Sequence, residues 1–189
     1  MRITYFFLYF VIVLMPIKIV FMKKVLFSIV CMLLIGTASA QDDKFKALFV
    51  YNFTKYIEWP KNKQTGDFVI GVLGHSSIIS ELKAFTERKT VGSQKIVVEE
   101  ILSSEDYTKY HIVYVPTKLS GQAEDIANKV KGKGVLLVTD KPGMAATTSG
   151  INFVKVDNQQ KFEVNTTHLE NEGVKHSHTL VLLGIAVNN

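Results

Sequence analysis

The side chains in this chain of 189 residues that could do chemistry are its five histidines, a serine pair beside one of them, and an aspartate ahead of a Lys-Pro-Gly turn. His75 stands next to Ser76 and Ser77 and could be offered as base to a nucleophile. Neither serine sits in a GxSxG elbow, however, and adjacent side chains do not face one another productively. His176 and His178 could hold one metal ion only from a strand, because positions two apart on a helix point to different sides. His168 lies eight residues before His176, and no carboxylate or thiolate accompanies the three at a ligand spacing, so no metal site is expected. Gly74 ahead of Ser76 could turn backbone N–H groups toward an anion. The segment has neither GxGxxG nor GK[ST], so a tight turn capped by Ser76 or Ser77 is the expectation, without a cofactor. Asp140 occupies the strand end where a catalytic carboxylate would sit, yet Thr139-Asp140 before Lys141-Pro142-Gly143 is also turn chemistry. No catalytic set assembles from these residues.

The elements that must position them follow from hydrophobic periodicity. Phe45, Leu48, Phe49, Phe53, Tyr56 and Ile57 recur at helical spacing, with Asp42 or Asp43 as N-cap and Pro60 as stop. Phe68–Leu73 is a short apolar run of the kind that makes a strand buried on both faces, and Ser76–Arg88 after it has helical spacing. Lys95–Ile101 reads as a strand, Ser104–Tyr110 as a short helical turn, and His111–Val115 as a buried strand ended by Pro116. Helix Gly121–Lys131 and strand Val135–Thr139 come next. Ile151–Val156 and Lys161–Asn165 alternate in period two around Asp157-Asn158-Gln159-Gln160, which predicts a hairpin. A last helix is expected to pack Leu180, Leu183, Gly184 and Val187 onto the sheet. Strands alternating with helices imply a mainly parallel sheet with right-handed crossovers. The fold class is therefore α/β, a Rossmann-like three-layer sandwich ending in a β-hairpin and a final helix.

Charge and leader sharpen this. The chain carries 22 basic and 17 acidic residues, but Arg2, Lys18, Lys23 and Lys24 are unopposed in residues 1–40. Removing those four leaves 18 basic against 17 acidic over residues 41–189, a net charge of +1 instead of +5. A near-neutral body without an Arg/Lys cluster excludes the phosphate-neutralising footprint of a nucleic-acid binder. Met22-Lys23-Lys24, the apolar run Val25–Ile35 and Ala38-Ser39-Ala40 form a secretory signal cleaved after Ala40, with residues 1–21 an extension ahead of the true start. The apolar run is too short to span a bilayer, which takes about 20 residues. The expectation is one periplasmic domain over residues 41–189. Cys31 is the single cysteine and lies in the signal, so the exported chain has no disulfide and no thiol chemistry.

The first helix is the most aromatic stretch of the chain. Its rings exceed one buried stripe, which nominates Tyr51, Phe53, Tyr56 and Trp59 as a partner-binding surface. In a doubly wound sheet ligands bind outside the carboxyl ends of the strands, so Gly74, His75, Ser76, Thr117 and Asp140 are the candidate ligand crevice.

The block Ala47-x-x-x-Tyr51-Asn52-Phe53-x-Lys55-Tyr56-x-Glu58-Trp59-Pro60 resembles the YfiR family (YfiR/HmsC-like). So do Phe68-x-Ile70-Gly71-Val72-Leu73-Gly74, Thr139-Asp140, Gly150-Ile151-Asn152-Phe153-Val154 and Lys161-Phe162-Glu163-Val164-Asn165, in order and at matching spacing. This resemblance implies a periplasmic α/β domain that does no chemistry and pairs with itself. It also implies a partner: the periplasmic part of an inner-membrane diguanylate cyclase, held inactive, or of a sensor histidine kinase. Where the family often has a cysteine, before the strand beginning at His111, this chain has Tyr110, so thiol-based control does not apply. Ser149-Gly150 is a milder departure. Two functions of different class follow: a non-enzymatic regulator that binds a signalling protein, and a small-ligand-binding module using the crevice.

Overall fold

Residues that alternate sides along a strand and are apolar at every position need cover on both faces, and the centre of this fold meets that need. The computed structural model describes residues 37–102 and 106–187, and the chain divides into the units Met1–Gln41 and Asp42–Asn189. The signal, the extension before it and Cys31 lie outside the described residues, apart from the helical start at Thr37. In chain order the elements are α1 (Thr37–Phe53), β1 (Ile57–Glu58), β2 (Phe68–Leu73), α2 (Ile78–Thr86), β3 (Thr90–Val91) and β4 (Gln94–Ile101). They continue with β5 (Ile112–Val115), α3 (Ala123–Val130), β6 (Leu136–Thr139), α4 (Met144–Thr147), β7 (Ile151–Val156) and β8 (Gln159–Val164). The last are α5 (Thr166–Glu172), β9 (Lys175–His176), α6 (His178–Leu183) and β10 (Ile185–Ala186).

Eight strands form one sheet in the order β3-β4-β2-β5-β6-β7-β8-β10. Neighbours from β4 to β7 are parallel, and β3 and β8 join antiparallel. Every residue of β5 and β6 is buried. Their alternate residues feed two cores. Ile70, Ile112, Tyr114, Leu136 and Val138 meet Ala47, Val50 and Phe53 of α1 and Ile78 and Leu82 of α2. Val113, Val115 and Leu137 meet Ala123, Ile126 and Val130 of α3. Helices on both faces of a mostly parallel sheet confirm the Rossmann-like α/β sandwich.

Several local expectations are corrected. Helix α1 runs through Asp42 and Asp43 instead of starting on them, and it stops at Phe53. There Thr54, Lys55 and Tyr56 donate to carbonyls three residues back, a tightened end reinforced by Thr54 Oγ1 on the Tyr51 carbonyl at 2.6 Å. Ile57 and Glu58 leave the helical pattern to pair antiparallel with His176 and Lys175. The segment from Asp106 to Tyr110 is no helix: the Asp106 carboxylate accepts from Thr108 N at 2.7 Å, a local turn that competes with helix. Residues 103–105 lie outside the described residues. The hairpin loop is two residues long, since Asp157 and Asn158 both have positive φ, 51° and 59°, the geometry of a tight primed turn. Helix α6 buries Leu180, while Leu183 is 56% exposed and Gly184 starts the turn into edge strand β10. Helix α5 and strands β1, β3, β9 and β10 carry no periodicity that sequence alone would reveal.

Gly71 is the tightest backbone approach in β2. A Cβ there would lie 2.6 Å from Ile101 Cδ1 and 2.7 Å from the Tyr110 ring. Gly71→Ala is expected to cost about 1–3 kcal/mol by overpacking. In urea unfolding, the cost of Gly71→Ala should be smaller when measured in a Tyr110→Ala background than in the parent chain, a coupling that a double-mutant cycle reads directly.

Candidate functional site

The carboxyl end of β6 carries Asp140, whose side chain is 9% exposed. Lys46 Nζ donates to Oδ2 at 2.8 Å and Tyr114 OH to the same atom at 2.5 Å. Thr117 Oγ1 reaches Oδ1 at 2.6 Å and the Asp140 carbonyl at 2.8 Å. Burial alone would push this carboxyl up, but the bonds from Lys46, Thr117 and Tyr114 hold it below the usual carboxylate range. Burial and the neighbouring Asp140 charge push the Tyr114 hydroxyl far up, so it donates and does not ionise. The turn role expected of Asp140 thus becomes a wider one: it ties α1 to β5 and β6.

Of the crevice residues, this brings Thr117 to Asp140 and leaves the others apart. Gly74 has φ +66° and donates its N–H to the Ile101 carbonyl at 2.8 Å, with Leu119 against its α-carbon. The His75 ring is 94% exposed, with Nδ1 at 3.4 Å from Glu100 Oε1. The Ser76 carbonyl accepts from Ile79 N. Ser77 occupies the N-cap position without a capping bond, and its hydroxyl instead donates to Asp43 Oδ2 at 2.5 Å. With Lys46 on Asp140 and Asp43 on Ser77, α1 lies across the carboxyl ends of β6 and β2.

The aromatic set divides as well. Phe53 and Trp59 are 1% and 5% exposed and belong to the core. The Trp59 indole N–H donates to the His111 carbonyl at 3.1 Å, and its ring meets Phe68 edge-on at 4.8 Å. Phe53 and Trp59 therefore offer no surface to a partner in this conformation. Tyr51 and Tyr56 are half-buried. The Tyr51 ring packs against Phe85 at 5.7 Å and faces the Lys55 and Lys89 ammonium groups at 5.1 and 5.4 Å. His111, which sequence reasoning passed over, accepts from Val69 N on Nδ1 and so donates from Nε2 to the Lys63 carbonyl at 2.7 Å. Burial lowers its pKa, and it serves as a neutral connector.

Residues 43–185, nearly all of the second unit, match the sequence model of the YfiR/HmsC-like family. The chain belongs to the YfiR/HmsC-like family. No curated protein matches it. YfiR/HmsC-like proteins are periplasmic regulators of cyclic di-GMP signalling, a regulatory and non-catalytic family. Among the described residues no helix is long and apolar enough to cross a membrane.

Apart from Leu102, 82% exposed just after β4, the large apolar side chains that this YfiR/HmsC-like domain presents outward among the described residues lie at two places. One is on α1, where Phe45 and Leu48 are 36% and 37% exposed. The other is the C-terminal segment, with Leu182 at 72%, Leu183 at 56% and Ile185 at 39%. They are linked only beneath the surface: the Phe45 ring meets Phe49 tilted at 4.5 Å, Phe49 meets Phe162 at 5.3 Å, and Gly184 lies against the Phe162 ring, which is buried.

Asp140→Asn keeps the shape and removes the charge that Lys46 faces, and a loss of about 2–3 kcal/mol at neutral pH is expected. The sign with pH is defined. The folded pKa lies below the unfolded value of about 3.9, so the stabilisation is complete above about pH 5 and fades as pH falls through the folded value. Chemical unfolding between neutral and acid pH should show that limb in the parent chain and a flatter one in the Asn variant.

Proposed function

We propose that this chain is a non-enzymatic periplasmic regulator that binds the periplasmic part of an inner-membrane signalling protein, a diguanylate cyclase or a sensor histidine kinase, and holds it inactive. Family membership supports the signalling context. The observation that carries the binding mode is the exposed apolar surface of Leu182, Leu183 and Ile185. Singly exposed leucines are ordinary, but three large apolar side chains exposed within four consecutive residues mark an interaction surface. Tyr51, packed on Phe85, and Tyr56 are half-buried and remain candidates for a partner, while Phe53 and Trp59 belong to the core. An interface of standard size, about 800 Å² per partner, accommodates these anchors within a polar rim. The reading also requires export with cleavage after Ala40, so a periplasmic fraction should yield a chain whose N-terminal sequence starts at Gln41.

Leu182→Glu and Leu183→Glu test the surface. Both residues are exposed, so stability should change by no more than about 0.5 kcal/mol. In-cell crosslinking followed by mass spectrometry should recover an inner-membrane signalling protein with the parent chain and lose it with the double variant. Recovery undiminished by both substitutions would remove this surface from the proposal, and recovery of no such protein would remove the function.

A further inference from the structure

One margin of the sheet leaves backbone groups unused. Successive residues of a strand aim their N–H and C=O groups at alternate neighbours. The Ile101 carbonyl accepts from Gly74 N at 2.8 Å, which turns Ile101, and with it Glu99 and Val97, toward β2. Val98 and Glu100 therefore aim theirs the other way, where β3 reaches no further than Lys95. Among the described residues nothing pairs with the N–H and C=O groups of these two.

Natural edges are guarded by bulges, prolines and lysines. β4 pairs with β2 without a break from Ile96 to Ile101, and that stretch holds no proline and no lysine. The opposite margin is better guarded, because the uncovered stretch of β8 carries Lys161 and ends at the tight turn of Asp157 and Asn158. Three side chains stand beside the open groups of β4. Leu102 follows the strand directly and is 82% exposed. Glu99 pairs with Lys109 at 2.8 Å and Glu100 with the His75 ring at 3.4 Å. Both partners are largely exposed, so neither pair holds its glutamate firmly.

The glutamates decide what the edge can receive. A second copy pairing antiparallel across a two-fold axis must set outward-aimed residues opposite one another. Centred on Val98, that register drives the copy's strand against Lys95, where Thr90 of β3 already sits. Centred on Glu99 or Glu100, it sets like charges directly opposite, which destabilises a sheet. A strand carrying lysine or arginine at this point meets an opposite charge instead. Apolar side chains two positions to either side of that cation then fall opposite Val98 and Leu102.

We propose that the outer edge of β4 receives an extended segment of a partner protein by strand addition, its backbone pairing with Val98 and Glu100 and a lysine or arginine lying opposite Glu100 between two apolar residues. This edge lies at the other margin of the sheet from β10, so it is separate from the surface of Leu182, Leu183 and Ile185. The two sites fail separately.

The test is amide NMR on the isotope-labelled protein, purified from the periplasm and titrated with two capped peptides, Thr-Val-Thr-Lys-Thr-Val-Thr and the same peptide with glutamate at its centre. The lysine peptide should give saturable shifts centred on Val98 and Glu100, with a Kd of about 1–10 mM, and should slow the hydrogen exchange of those two amides. The glutamate peptide should bind about threefold more weakly or worse, and Glu100→Lys should reverse the preference. Leu182→Glu with Leu183→Glu should leave both titrations unchanged. No saturable shift up to about 10 mM of the lysine peptide would overturn the proposal, and shifts centred elsewhere would overturn the site. Equal binding of the two peptides, or a preference that survives Glu100→Lys, would overturn the chemistry of the partner. Concentration-dependent shifts at Val98 and Glu100 without peptide would give the edge to a second copy and overturn the proposal as well.

Discussion

The rest of the fold depends on the two-sided burial of β5 and β6. With every residue of both strands shielded from water, the sheet persists only while one face is covered by α1 and α2 and the other by α3. Each fully buried Ile, Leu or Val contributes about 1.5–3 kcal/mol, and no disulfide reinforces the domain. The cover on the first face is aimed by polar contacts at its edge. Lys46 on Asp140, Asp43 on Ser77 and the ion pair of Asp42 with Lys155 at 2.5 Å set the angle at which α1 crosses the strand ends. Hydrophobic burial holds the layers together, and these few charges decide their register.

That arrangement explains which parts were legible in the sequence. β2, β5 and β6 could be read because double burial writes itself as a continuous apolar run, and the hairpin because period-two alternation flanks Asp157-Asn158. The end of α1 could not, because helical spacing continues through Tyr56 and Ile57 while the deciding partner, β9, lies more than a hundred residues later. α6 was misjudged for the opposite reason. Its leucines have the spacing of a packed face, but nothing covers Leu182 and Leu183. Asp140 stood out from its position, whereas Lys46, its partner, is 94 residues away and looks like any surface lysine.

The same contrast separates the regions of the molecule that are committed from those that are available. Polar groups at the carboxyl ends of β2 and β6, where open α/β sheets commonly receive ligands, here bond to α1 and to one another. Surface with unused capacity lies elsewhere, around Leu182 and Leu183. Tyr110 fits this division: it fills, against Gly71 and Ile101, the place where a cysteine would bring redox sensitivity.

The sheet ends on strands of two residues at both margins, Thr90–Val91 and Ile185–Ala186. They cover only part of the strands they flank: among the described residues the outer side of β4 from Ile96 to Ile101 and of β8 from Gln159 to Phe162 carries no further strand. The same brevity leaves two styles of association open to the domain, contact through side chains and extension of the sheet along those uncovered stretches.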